Sequence, residues 1–167
     1  MRLVSLKKIS TTVLLSMSMA FLWLTQCYSQ SQSNTPIITT SSVADSSNQY
    51  LGAGGILSGT TIWHSQTPPK YPEWVEIQYS TPGIITKLSI KPQDGNPSRA
   101  PKNFVFQAGN DGKKWVDIYT VKDNVHKSGS DWHTWSFKNK GKYLYYRIFI
   151  TGGGDPSLLT IQQIKLE

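Results

Sequence analysis

From Trp74 to Leu166 the sequence shows no convincing helical period, and it alternates instead in short runs separated by turn signals. In Trp74-Val75-Glu76-Ile77-Gln78-Tyr79, Val75, Ile77 and Tyr79 share one side while Glu76 and Gln78 share the other. Period-two alternation is what a half-buried strand requires, because successive side chains point to opposite faces. Ile84 to Lys91 repeats the pattern, with Ile84, Thr86, Leu88 and Ile90 against Ile85, Lys87, Ser89 and Lys91, and Phe104, Phe106 and Ala108 continue it. Asn110-Asp111-Gly112 is a hairpin signal, and Trp115 to Tyr119 follows as its second arm. Lys122 to Asp131 reads as a polar loop, Trp132 to Phe137 as a strand and Asn139-Lys140-Gly141 as a turn. Tyr143 to Thr151 is a further strand, with Leu144, Tyr146, Ile148 and Ile150 on one side. Thr151 to Pro156 breaks it, and Leu158 to Leu166 closes the domain. Leu51 to Gly59 is too rich in glycine for a helix interior. Short strands with a turn every ten or so residues define an all-β antiparallel sandwich or jelly roll.

The chain has 167 residues, enough for one such domain. Residues 1–29 read as an export signal: Arg2, Lys7 and Lys8 precede an apolar run from Val13 to Leu24. That run is shorter than the roughly 20 residues a membrane span needs. Cys27 is the single cysteine, so the domain has no internal disulfide. Leu24-Thr25-Gln26-Cys27 resembles a lipoprotein box, although Gln26 stands where a small residue is usual. Ordinary cleavage after Ser29 is the favoured reading, with a lipid anchor at Cys27 open beside it and an uncleaved apolar anchor as the bland alternative. Either route takes the protein out of the cytoplasm, to a secreted, periplasmic or cell-surface location. Gln30 to Ser47, rich in Ser, Thr, Gln and Asn, reads as a flexible linker, with the domain starting at Asn48. Of 17 basic residues, removal of Arg2, Lys7 and Lys8 leaves 14 against 10 acidic, a formal charge of +4. The excess is scattered, without the basic stripe of a nucleic-acid binder.

Thr61 to Tyr79 concentrates the chemistry. Ile62-Trp63-His64-Ser65 sets an imidazole and a hydroxyl beside a large ring, and a loop with Pro68, Pro69 and Pro72 ties them to a core strand. Polar groups on loops held by a rigid scaffold make a binding site. Nothing in the sequence signals catalysis: no Ser-His-Asp set stands out, no His-x-x-x-His spacing occurs, and the pair Glu73 and Glu76 adjoins a strand on a structural pattern. Trp63, Trp74 and Trp115 read as packing residues. Trp132, His133 and Trp135 suggest a ring platform, but alternation puts His133 and Trp135 on one side and Trp132 on the other, which favours packing.

An ordered set of segments resembles one family. It comprises Ile-Leu-x-Gly at Ile56, Ile-Trp-His-Ser at Ile62, Pro-x-Trp-Val-Glu-Ile at Pro72 and Pro-Gln-Asp-Gly at Pro92. Arg-Ala-Pro-Lys-Asn-Phe at Arg99, Gly-Asn-Asp-Gly-x-x-Trp at Gly109 and Tyr-x-Tyr-Tyr-Arg-Ile at Tyr143 complete it. Together they resemble the coagulation-factor type C, or discoidin-like, domain, whose bacterial members include family-32 carbohydrate-binding modules. The match spans roughly residues 45–167. It implies an eight-stranded antiparallel jelly-roll sandwich that binds a ligand through loops at one end. Members bind sugars, phospholipid surfaces or protein partners.

The resemblance assigns sugar contacts to His64 and Arg99. The chemistry suits the task, since arginine offers a rigid fork of donors and neutral histidine one donor and one acceptor. Many sugar-binding relatives also carry an aromatic before the last strand. Here that loop is Gly152-Gly153-Gly154-Asp155, so stacking falls to Tyr71, and Gly153 lets backbone approach a ligand closely. Asp94 and Asp155 are acceptors for sugar hydroxyls or turn caps, with turn duty favoured for Asp94 before Gly95. Relatives often hold a structural calcium. Ser58 and Gln163 replace the usual acidic ligands, so the metal is expected to be lost and no cofactor is implied. The leading expectation is a non-catalytic module for a glycan or glycoprotein. A protein-interaction or adhesion domain is the alternative, and phospholipid binding would need apolar loop tips, which His64 to Pro72, Pro92 to Lys102 and Thr151 to Ser157 hardly offer.

Overall fold

A computed structural model describes residues 35–48 and 52–167. The export-signal segment and Cys27 lie outside the described residues. Among those described there are ten strands, in chain order β1 (Ile37–Thr40), β2 (Trp63–His64), β3 (Glu73–Gly83), β4 (Lys87–Lys91) and β5 (Pro101–Gly109), then β6 (Val116–Val121), β7 (His133–Ser136), β8 (Tyr143–Gly153), β9 (Thr160–Ile161) and β10 (Gln163–Leu166). The only helical pieces described are two single 3₁₀ turns, Ala53–Gly55 and Pro97–Arg99. No helix among the described residues is long and apolar enough to cross a membrane.

Every strand pairing is antiparallel. One sheet runs β1-β3-β8-β5-β6, a second runs β10-β4-β7, and β2-β9 forms a short ribbon. The alternation read from the sequence is the alternation of burial in β3, β5 and β8, while next to β4 Ile84 is exposed and within it Ser89 is buried beside Leu88 and Ile90. Val75, Ile77, Leu88, Ile90, Phe106, Ala108, Tyr146, Ile148 and Ile150 are all fully buried. Rings lock the two large sheets together: Phe104 of β5 meets Trp135 of β7 edge-on at 5.2 Å, and Phe106 meets Phe137 at 5.3 Å. Trp63 is completely buried and its indole N–H donates to the Ser42 carbonyl at 2.8 Å. His133 and Trp135 do share a side, with ring centroids 6.2 Å apart, while Trp132 lies under the Lys165 ammonium.

Two boundaries differ from the sequence reading. Residues 37–47 are not a free linker. β1 pairs with β3 in register Ile38↔Ile77, and Ile38 and Val43 pack against the core. The reason is a buried carboxylate. Glu73, 1 % exposed, accepts hydrogen bonds from the hydroxyls of Ser41 and Ser42, from Gln66 Nε2 (3.2 Å) and from the Lys70 N–H (3.1 Å). Burial raises its pKa, but these donors outweigh burial and hold it below the ordinary value. A polar segment is thereby fixed to the domain without a hydrophobic pattern of its own. The second difference is β8, which runs through Gly152 and Gly153 rather than ending at Thr151, because both glycines pair with β5.

Candidate functional site

Three loops meet at one end of the sandwich: the proline loop after His64, the turn from Pro92 to Ala100, and the segment from Gly153 to Leu159. On β2, alternation sends Trp63 into the core and leaves His64 half-buried on the outside. His64 pairs across the ribbon with Thr160, so the two side chains share a face. His64 Nε2 and Thr160 Oγ1 are both buried and neither has a hydrogen-bond partner. Burial lowers the His64 pKa, and the Arg99 charge lowers it further, so the ring is neutral at pH 7. It therefore keeps one donor and one acceptor.

Arg99 ends the 3₁₀ turn begun by Pro97, where the Arg99 N–H donates to the Asn96 carbonyl. Its Nε lies 3.8 Å from Asp155 Oδ2, an ion pair too long for a hydrogen bond, and Nε has no hydrogen-bond partner. Asp155 is held by its other oxygen: Oδ1 accepts from the Ser157 N–H (2.8 Å) and hydroxyl (2.6 Å). Those two bonds depress its pKa most, with Arg99 adding a smaller effect. Tyr71, 38 % exposed, completes the group, with its hydroxyl hydrogen-bonded by the Gly153 backbone. Burial raises the Tyr71 pKa, so it is a neutral phenol.

His64, Arg99, Tyr71, Gly153 and Asp155 thus gather at one end. Asp94 does not join them. It pairs with Lys91 at 3.7 Å, and its N–H donates to Gln162 Oε1 at 2.9 Å. The glycines also serve differently from the expectation. A Cβ on Gly153 would stand 2.5 Å from the Tyr71 hydroxyl, and one on Gly154 2.4 Å from the Ser98 carbonyl. The missing side chains admit this protein's own atoms, bringing the Arg99 turn against the Asp155 loop. Sequence reasoning missed Thr160, whose place opposite His64 appears only once the ribbon is paired.

Ser58 and Gln163, which the resemblance sets where relatives carry acidic calcium ligands, bond within the chain. Gln163 Nε2 donates to the Leu57 carbonyl at 3.2 Å and the Ser58 hydroxyl to the Gly55 carbonyl at 3.0 Å. Among the described residues there is no group of three His, Cys, Asp or Glu that could hold a metal ion.

Comparison with known proteins identifies the class. The model of the F5/8 type C domain matches residues 37–161, about three-quarters of the chain, and the chain belongs to that family. The fold is similar to a chitosan-binding module from a Paenibacillus sp. IK-5 chitosanase/glucanase, at 17 % identity and TM-score 0.66, covering 80 % of this chain and 95 % of that one. It is similar also to a Clostridium perfringens CBM32 module solved with GalNAc-β-1,3-galactose, at 17 % identity and TM-score 0.65, covering 79 % and 94 %. A Bacteroides fragilis F5/8 type C domain is 16 % identical with TM-score 0.64, covering 78 % and 89 %. No curated protein matches the sequence.

Proposed function

We propose that this protein is a non-catalytic carbohydrate-binding module, exported from the cytoplasm, that grips one sugar residue at the His64–Arg99–Asp155 end of the sandwich. One observation carries the reading: His64 Nε2, Thr160 Oγ1 and Arg99 Nε are buried there without hydrogen-bond partners. Such atoms cost stability unless a ligand satisfies them. The set is matched to vicinal hydroxyls. Arg99 supplies donors, Asp155 an acceptor, neutral His64 one of each, and the Tyr71 ring a face for the apolar side of a pyranose. Because Asp155 already faces Arg99, the site is near neutral and suits a hydroxyl-rich ligand better than an isolated anion. Of the large apolar side chains exposed among the described residues, only Tyr71 and Val125 lie on the loops around this end, too few to insert into a bilayer. Modules of similar fold include ones named for binding chitosan and pectin and one solved with mannuronic acid, which supports the carbohydrate class and leaves the sugar open.

A glycan array followed by calorimetry tests the proposal. Binding should reside in galactose- or hexosamine-containing glycans, and Arg99→Ala should weaken it ten- to a hundred-fold, the equivalent of about 1.5–3 kcal/mol for charge-assisted bonds. His64→Ala should cost about one neutral hydrogen bond, roughly 1 kcal/mol. Unchanged binding in both variants would move the site. No binding to any glycan would transfer preference to a protein-interaction domain.

A further inference from the structure

Behind the Arg99 turn lies a second cleft of about 190 Å³, lined by Pro97, Ser98, Ala100, Lys102, Asn124, Val125, His126 and Gly154. The backbone of two segments runs between it and the first site. In the turn, Ser98 and Ala100 line the cleft while Arg99 reaches Asp155. In the glycine segment, Gly154 lines it while Gly153 and Asp155 serve the first site.

The cleft holds unused polar capacity. His126 is 5 % exposed, and neither of its ring nitrogens has a hydrogen-bond partner. Asn124 Nδ2 is likewise buried and unpartnered, its Oδ1 being taken by His133 Nδ1 at 3.0 Å. The His133 ring lies against His126, with centroids 4.0 Å apart and the planes tilted by 34°. Burial, reinforced by His133, pulls the His126 pKa down to about 4, so the ring is neutral at pH 7. Lys102 is the one charged lining residue, and no carboxylate lines the cleft. Its exposed partner Asp123, 3.4 Å away, neutralises it only weakly.

We propose that this cleft is a second subsite, which takes an acidic sugar residue linked to the one held at His64 and Arg99. The inference rests on the carbohydrate reading and extends it from one residue to two. The volume is about that of six waters in bulk, room for one substituted ring and well below a drug-sized pocket. The Lys102 ammonium lines the cleft with no acidic residue to compete, and the Asn124 amide, like the His126 ring, is buried behind its wall. A uronate carboxylate supplies the acceptors they lack. Val125, 61 % exposed at the rim, offers the apolar contact. The His126 and Asn124 nitrogens are shielded from solvent, so an occupant reaches them only if part of the loop from Lys122 to Trp132 shifts. Two described hydrogen bonds tie this loop to β5, from the Asn124 N–H to the Lys102 carbonyl and from the Asp123 N–H to Asn103 Oδ1.

The test is calorimetry of the whole protein with galactose, with galactosyl-galactose, and with disaccharides joining galactose to galacturonate in either order. One galacturonate-containing disaccharide should bind about tenfold tighter than galactose, with most of the gain lost at high salt. The neutral disaccharide should gain no more than about threefold. Lys102→Gln, a rim substitution, and His126→Leu should each erase the uronate gain and leave galactose binding as it was. A uronate gain that is absent from the wild type, or that survives both variants, overturns the second subsite while the first stands. Absence of binding to all these sugars, with another glycan bound at His64 and Arg99, overturns this inference and leaves the carbohydrate reading standing; absence of binding to any glycan overturns both.

Discussion

Removing the Glu73 carboxylate should loosen the N-terminal edge of the domain. Glu73 Oε2 accepts from the hydroxyls of Ser41 and Ser42, and Oε1 accepts from Gln66 Nε2 and the Lys70 N–H. Glu73→Gln keeps the shape. Its amide nitrogen settles toward the serines, whose hydroxyls rotate to accept, and its oxygen stays with Lys70. Only charge assistance is lost, at about 2 kcal/mol. Glu73→Ala strands the Lys70 N–H and the other donors beside a cavity, at about 4 kcal/mol. For a domain of this size, each kcal/mol moves Tm by about 3–5 °C, so the expected drops are about 6–10 °C and 12–20 °C. Acid supplies a second arm. The folded pKa of Glu73 lies below its unfolded value, so the stability it contributes is present above the unfolded pKa and is lost as pH falls through the folded one. The Tm gap between wild type and Glu73→Gln should therefore shrink on acidification below about pH 4.5. Thermal denaturation by circular dichroism across pH reads both. A drop under about 3 °C in Glu73→Ala, or a gap that widens in acid, would refute the reasoning.

Other consequences are as direct. Glycan binding should hold steady from pH 8 down past the ordinary histidine range, because the His64 pKa is lowered, and should fall only in more acid solution, where the ring charges beside Arg99; affinity measured against pH checks this. Gly154→Ala would set a Cβ 2.4 Å from the Ser98 carbonyl, so it should push the Ser98 backbone away and weaken binding at least tenfold, about 1.4 kcal/mol, with His64 untouched. Gly52→Ala, where a Cβ meets nothing within 4 Å, is the control that should change little. Calcium at millimolar levels should leave Tm where a chelator leaves it, since a ligand held only by the folded state would raise it and Gln163 Nε2 faces the Leu57 carbonyl.

The strand pattern could be read from the sequence because burial in a sandwich imposes period two. Val75, Ile77, Phe106 and Ile148 announce their faces by spacing alone. The gathering of His64 and Arg99 was available only through the family resemblance, since 34 residues lie between them and no local pattern ties them. What stayed hidden is what hydrogen bonds build. Ser41 and Ser42 look like linker until Glu73 is seen to need them, and Thr160 looks like any strand threonine until it pairs with His64. The triple glycine was visible, but its purpose was not: spacing cannot say whether open room admits a ligand or a neighbouring Tyr71 hydroxyl. His126 reads as one more residue of a polar loop, because burial of a histidine between Asn124 and His133 leaves no periodic trace.

The central claim is that one sugar residue is held where the proline loop, the Arg99 turn and the Asp155 loop meet. Titration of the isotope-labelled protein with its best glycan, followed by amide and imidazole NMR shifts, tests it most directly. The account predicts saturable shifts at His64, Arg99, Gly153, Gly154 and Asp155, with the His64 ring signals moving most and the Asp94 turn still. Saturable shifts confined to the outer face of the five-stranded sheet, with the His64 ring unmoved, would contradict it.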